Sequence, residues 1–208
     1  MNGAILAAVV AVAVLGACGG SRVPSQELAN RPPQTAPAPA AKGDPLALAK
    51  GATFTYDVTL ELASGTQRFR WTMTVVDVVD GNGAKLYKIS GWPAQLVDWD
   101  LDAVPFKPPA PKVRSLINAF DNYVWGDSVA NVTGTRWFTW PLFDGQRICP
   151  DPNVRYCWTV AVERGRYRLT MATNPDDETF ELTPGIGLTH YAYHHHGSPL
   201  SVDAKLVR

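Results

Sequence analysis

The 208-residue chain has room for one domain with a sizeable hydrophobic core, even after loss of a leader. Its 19 basic and 19 acidic residues balance, and no run of like charge exceeds Asp176-Asp177-Glu178. That pattern argues against nucleic acid as a partner.

The chain opens on an apolar leader. Ala4 to Ala17 is an unbroken run of small and apolar residues, too short for a bilayer-spanning helix, and it ends in Leu15-Gly16-Ala17-Cys18. The run reads as an export signal rather than as part of a fold. The tetrad resembles the lipobox of bacterial lipoproteins, in which the cysteine is acylated and becomes the first mature residue. The resemblance implies lipidation at Cys18 and a membrane as partner, although no Lys or Arg precedes the apolar run. In Gram-negative members an aspartate after the cysteine favours inner-membrane retention. Gly19 stands there in this chain, which points to the outer membrane, with the inner membrane and the cell surface as the other addresses.

Prolines at 24, 32, 33, 37, 39 and 45 follow, among Ala, Gly and Ser. Such composition cannot bury enough apolar surface to offset chain entropy, and it predicts a tether. The expected organisation is a signal peptide at residues 1–17, an acylated cysteine and tether at 18–50, and one domain at 51–208.

The domain reads as all-β. In "TFTYDVTLEL" (53–62), Phe54, Tyr56, Val58, Leu60 and Leu62 alternate with polar residues, the period of a half-buried strand. After Ser64-Gly65, the residues Phe69, Trp71, Met73 and Val75 continue the rhythm until a phase slip at Val75-Val76 predicts a bulge. "DGNG" (80–83) predicts a hairpin turn, and a strand through Leu86 to Ile89 follows. Residues 92–112 read as a proline-rich loop. Val113, Leu116, Ile117, Phe120 and Val124 then fit helical spacing and predict one short helix.

Strand rhythm resumes at 135–140 and at 154–163, where Val154, Tyr156, Trp158, Val160 and Val162 share a face. Tyr167, Leu169 and Met171 predict a further strand, as do Phe180 and Leu182. Two more flank a turn at Gly197-Ser198-Pro199, the last with Leu200, Val202, Ala204 and Leu206 inward. Asp176-Asp177-Glu178, after Asn174-Pro175, reads as a solvated hairpin turn. The sum is about eight or nine antiparallel strands and at most one helix. Sandwich, barrel and curved sheet over a helix remain open, because periodicity does not separate them.

Export implies an oxidising compartment, so Cys149 and Cys157, separated by "PDPNVRY", are expected to form a disulfide. "WPLFDGQ" (140–146) and "PGIGLTHYAYHHHGSPLSVDAKL" (184–206) resemble landmarks of β-rich bacterial envelope lipoproteins that have no general assigned reaction. The matching positions are Pro141, Leu142, Gly145, Pro184, Gly185, Ile186, Gly187, Gly197 and Leu206. "ERGRYRLTM" departs from that group's pattern between the two motifs. The resemblance implies fold and address, and no activity.

All four histidines lie in "HYAYHHHGS" (190–198). On a strand His190, His194 and His196 share one face, and His194-x-His196 is the spacing of a two-ligand metal site. A third ligand is not marked, although folding could bring Asp203 or Glu181 near, so the stretch reads as a strand entering its turn and no cofactor is expected. Nucleophile elbows, zincin motifs and P-loops are absent from the sequence. Of seven tryptophans, Trp71 and Trp158 fall on core faces, whereas Trp92, Trp99 and Trp125 fall in loops or at a helix end, fit for core anchoring or for a pocket.

These readings order three functions. First comes a non-catalytic binding or structural role with an envelope protein partner. A carrier or sensor of a hydrophobic ligand follows, and a metal enzyme using His194 and His196 is third. In cells the full chain is expected to incorporate labelled palmitate, and Cys18→Ser to abolish both labelling and signal processing. Processing that survives the substitution would instead identify a plain secretory signal.

Overall fold

The computed structural model describes residues 44–97, 108, 110–130, 132–149, 156–197 and 199–207. Cys18, most of the tether and Trp99 lie outside the described residues. The described chain is an antiparallel meander of twelve strands: β1 (Thr53–Leu62), β2 (Gly65–Gly81), β3 (Ala84–Ser90), β4 (Val113–Ala119), β5 (Asn122–Trp125), β6 (Thr135–Thr139), β7 (Arg147–Ile148), β8 (Trp158–Glu163), β9 (Arg166–Ala172), β10 (Asp176–Thr183), β11 (Gly187–His196) and β12 (Pro199–Leu206). All belong to one sheet, in the order β6-β5-β4-β3-β2-β1-β12-β11-β10-β9-β8-β7. First and last strands pair, Tyr56 opposite Leu206 and Leu60 opposite Val202, so the unpaired edges fall mid-chain at β6 and β7. The sheet curls into a nearly closed barrel with a seam between those edges. The all-β expectation holds, and the strand count is higher than eight or nine.

One long strand makes the curl. Gly65–Thr74 of β2 pair with β1 and Thr74–Gly81 pair with β3, with a register shift between Val75 and Asp77. This is the bulge the phase slip predicts, and it lets β2 serve both halves of the barrel. The β2–β3 turn places Asn82 at φ 52° and Gly83 at φ 73°, the left-handed pair that an Asn-Gly hairpin favours.

The predicted helix does not form. Val113 to Ala119 is β4, Phe120-Asp121 is a two-residue turn, and Val124 lies on β5. The error has a physical cause: β4 is covered on both faces. Leu116 joins the main core, while Ile117 packs with Ala84, Leu86 and Ala119 in a second cluster against Val129. Burial on both sides erases the period of two, and the apolar spacing then mimics a helix.

The loop after β3 also differs from expectation. Pro93–Val97 form a 3-10 turn lying against β11 and β12, with Trp92 and Leu96 fully buried. Its buried polar group is satisfied, because the Gln95 side chain donates to the Lys112 carbonyl at 2.8 Å and accepts from the Lys112 amide at 3.0 Å. Trp71 donates its indole N–H to Gly91 O at 2.6 Å. The barrel is therefore plugged by its own chain.

The packed chain extends back to Asp44. Leu46 and Leu48 are buried in the core, and the Gly185 amide donates to Asp44 O at 3.0 Å. A Cβ at Gly187 (φ 101°) would lie 2.4 Å from the Leu46 carbonyl oxygen. That close crossing gives the Pro184-Gly185-Ile186-Gly187 motif its second glycine.

Two substitutions separate core from turn. Leu96→Ala is expected to cost about 2–5 kcal/mol, the range for emptying a filled core site. Phe120, 81% exposed at φ 50°, holds a left-handed conformation that costs a side chain about 1–2 kcal/mol. Phe120→Gly removes that strain against an unfolded-state entropy cost of about 0.4–1 kcal/mol, so net stabilisation is expected. Urea midpoints at constant slope check both.

Candidate functional site

Strand alternation sorts the connections onto two ends. One end carries the short turns at 82–83, 120–121, 164–165 and 184–186, the 140–146 connection, and Asp44. The other carries the strand ends joined by the β1–β2, β3–β4, β5–β6, β7–β8, β9–β10 and β11–β12 connections, with Ser64 in the first of them. Polar and aromatic groups converge at this second end.

At the seam, Trp92 is buried among Trp125 (ring centroids 5.2 Å), Trp137 (5.3 Å) and Phe180 (6.0 Å). Phe180 in turn meets Trp137 at 5.2 Å and Trp158 at 5.3 Å, joining β6 to β8 and β10 across the unpaired edges. These are edge-on or tilted contacts, the arrangement ring quadrupoles favour. They floor a cleft of about 210 Å³ rimmed by Arg114, Arg136 and Glu178. Trp125 is half-buried and Arg136 exposed, so apolar rings and charged groups meet solvent together.

Of the tryptophans expected in loops, Trp92 and Trp125 both line this cleft, Trp92 as a core residue and Trp125 at the end of β5. Arg114 and Arg136 were not singled out from sequence, and Glu178 was read only as part of a solvated turn. Arg114 lies two residues from buried Leu116, and Glu178 two residues from buried Phe180, which would have placed both on the inner face. Reading their segments as helix and turn hid that alternation.

The Asp176-Asp177-Glu178 run is not a turn. It opens β10, with Asp176 opposite His195 and Asp177 opposite His194. Asp176 Oδ1 accepts the Tyr193 hydroxyl and lies 2.8 Å from His195 Nδ1, while the Tyr191 hydroxyl donates to Glu178 at 3.1 Å. Burial works to raise the Asp176 pKa, but the hydrogen bonds with Tyr193 and His195 and the nearby His196 outweigh it and hold the carboxyl below its ordinary value. Burial first, and then the bond to Asp176, pushes the Tyr193 phenol up to about 12.

The other histidines have carboxylate neighbours too. His190 Nε2 lies 2.5 Å from Asp203 Oδ1, and its Nδ1 lies 3.7 Å from Glu181. Folding thus brings Asp203 and Glu181 to His190 rather than to His194-x-His196. His196 Nε2 engages Asp177 at 2.8 Å, and the His194 and His196 rings stand edge-on at 5.1 Å. Among the described residues no three His, Cys, Asp or Glu side chains converge as metal ligands. Cys149 and Cys157 are joined in a disulfide beyond β7, as expected.

No family model matches the chain, and no curated protein matches it. Among solved structures it is similar to that of a Bacteroides fragilis protein, described as a candidate exported protein with a YmcC-like fold. The likeness has 10% identity and a TM-score of 0.44, and covers 80% of this chain and 99% of that one.

The Asp176 cluster makes stability depend on pH. A carboxyl whose folded pKa lies below its unfolded value of about 3.9 contributes stability above that value, lost as pH falls through the folded pKa. Asp176→Asn is therefore expected to cost about 1 kcal/mol at neutral pH. The gap from wild type should close as the medium is acidified below the carboxylate range. Urea unfolding of both proteins from pH 7 to pH 3 measures it, and a gap that does not narrow contradicts the assignment.

Proposed function

We propose that this chain is a lipid-anchored bacterial envelope protein, carried by Cys18 on the outer membrane, whose β domain has a non-catalytic binding role at the seam cleft. The observation that carries the reading is the cleft itself. Four tryptophans and Phe180 form its floor, and two arginines and a glutamate form its rim. Binding sites combine an apolar, rigid floor with a few placed polar groups. An occupant suited to this one offers an apolar face to the indoles and a polar or anionic edge to Arg114 and Arg136. Its size is that of a small ring or a single partner side chain, as the volume of about 210 Å³ allows.

The hydrophobic-carrier reading needs an open apolar interior of several hundred Å³. What weighs against it is the plug, since Trp92 and Leu96 occupy the inside of the barrel together with Tyr56, Met73 and Tyr191. What weighs against the metal-enzyme reading, which uses His194 and His196, is the engagement of His196 by Asp177.

The test is tryptophan fluorescence of the purified mature protein, titrated with envelope glycan fragments and peptides. Binding is expected to perturb emission, and Trp125→Ala or Arg136→Ala to weaken it about tenfold, a hot-spot loss. Circular dichroism should stay unchanged. Native mass spectrometry of the same preparation separates the readings: stoichiometric co-purified lipid would favour the carrier. Ligands bound equally by both variants would displace the seam cleft as the site.

A further inference from the structure

The barrel end opposite the seam cleft carries two exposed aromatic side chains. Phe120, at the tip of the β4–β5 turn, is 81% exposed, and Phe143, in the β6–β7 connection, is 48% exposed. The two connections are joined, since the Trp140 amide donates to Asp121 O at 2.8 Å. Phe120 is costly to keep. It sits at φ 50° and Asp121 at φ 64°, in a two-residue turn where Asn-Gly is favoured, and a bulky residue there is a backbone outlier. Its ring lies over the β2–β3 turn, 3.2 Å from where a Cβ of Gly83 would be, and otherwise faces solvent. Folding does not need a phenylalanine at that tip.

Asp44, where the described chain begins, lies at this same end. Asp44 Oδ1 accepts the Tyr123 hydroxyl at 3.2 Å, three residues beyond Phe120, and Asp44 O accepts the Gly185 amide. We propose that this end is a bilayer-facing docking surface, with Phe120 and Phe143 resting in the interfacial region of the membrane that holds the acyl chains. The proposal rests on the reading of Cys18 as a lipidated anchor. Residues 19–43 separate the proposed anchor from the domain, and a chain of that length reaches at most about 80–90 Å when fully extended. A domain tethered within that reach has a raised effective concentration at the surface, so two aromatic side chains suffice to bias which end faces the lipid. A protein partner is the poorer fit, because two side chains fall far short of the roughly 800 Å² per side that a stable interface buries.

Charge does not drive the contact. Asp121, Asp144 and Arg164 stand in the connections of this end, a mixed set with no basic cluster. Docking is therefore expected to persist at high salt. It also sets the working direction of the molecule. Glu178 at the cleft and Gly185 at the tether end lie seven residues apart along β10 and its turn, roughly 23 Å at strand rise. The cleft is then held outward, away from the lipid.

The test uses the acylated protein reconstituted in phosphatidylethanolamine–phosphatidylglycerol vesicles. An environment-sensitive fluorophore is placed by Asp121→Cys at the tether end or by Ser64→Cys at the other, with Cys149 and Cys157 bridged and Cys18 acylated. Brominated lipids are expected to quench the label at 121 severalfold more than the label at 64, at low and high salt alike. Adding Phe120→Ser and Phe143→Ser should remove the difference while palmitate incorporation continues. Equal quenching at both positions in acylated protein, or a difference that survives loss of both phenylalanines, overturns the docking surface and leaves the anchor standing. Absence of palmitate incorporation removes the anchor, and the docking proposal falls with it.

Discussion

A sheet whose first and last strands pair must put its free edges somewhere in the middle of the chain, and here they meet without joining. Between β6 and β7 the ladder of backbone hydrogen bonds stops, and side chains complete the barrel. Trp92 is the centre of that closure, buried against Trp125 and Trp137 on one side and Phe180 on the other. Unpaired edges are a liability in β proteins, usually met by shortness, charge or cover. β7 has two residues, and its far end is tied by the Cys149–Cys157 bridge. Closure by rings leaves a gap that closure by hydrogen bonds would have filled. The cleft is therefore a by-product of how the barrel shuts, and Arg114, Arg136 and Glu178 give it chemistry.

The same meander gives the molecule a direction. Alternating connections place Asp44 and the 120–121 and 140–146 connections at one end and the cleft at the other. Loops displayed on a rigid scaffold are where binding residues concentrate. Pro93–Val97 fold back inside the barrel, with Leu96 and the preceding Trp92 buried among the strands.

Four histidines in one strand look like metal chemistry, yet cross-strand register gives His190, His195 and His196 other neighbours. β11 lies between β10 and β12, each of which sets carboxylates opposite or diagonal to imidazoles. Asp176 shows the consequence for charge: burial pushes its carboxyl up, and the hydroxyl and imidazole beside it pull it further down. The strands are thereby tied by polar pairs at the end where their apolar pairs run out.

Much of the architecture was legible from residue order. Strict alternation in 53–62 and 199–206, the Asn82-Gly83 turn and the slip at Val75 are local consequences of a two-residue period, and they survive in the structure. The all-β class follows from them, and so does the spacing that lets Cys149 reach Cys157. What failed were segments whose surroundings are supplied from elsewhere. β4 has a second apolar cover from the 126–134 loop, so its alternation vanished and a helix was expected. Asp176 to Glu178 looked like a solvated turn because charge is normally solvated, and pairing with β11 on one side and β9 on the other makes it a strand. Trp92 looked like a loop residue because nothing near it in sequence shows that the chain folds into the barrel. Periodicity reports what each residue does with its own neighbours. The seam, the plug and the identity of the cleft depend on which distant strands are left unpaired, and that is decided by tertiary closure alone.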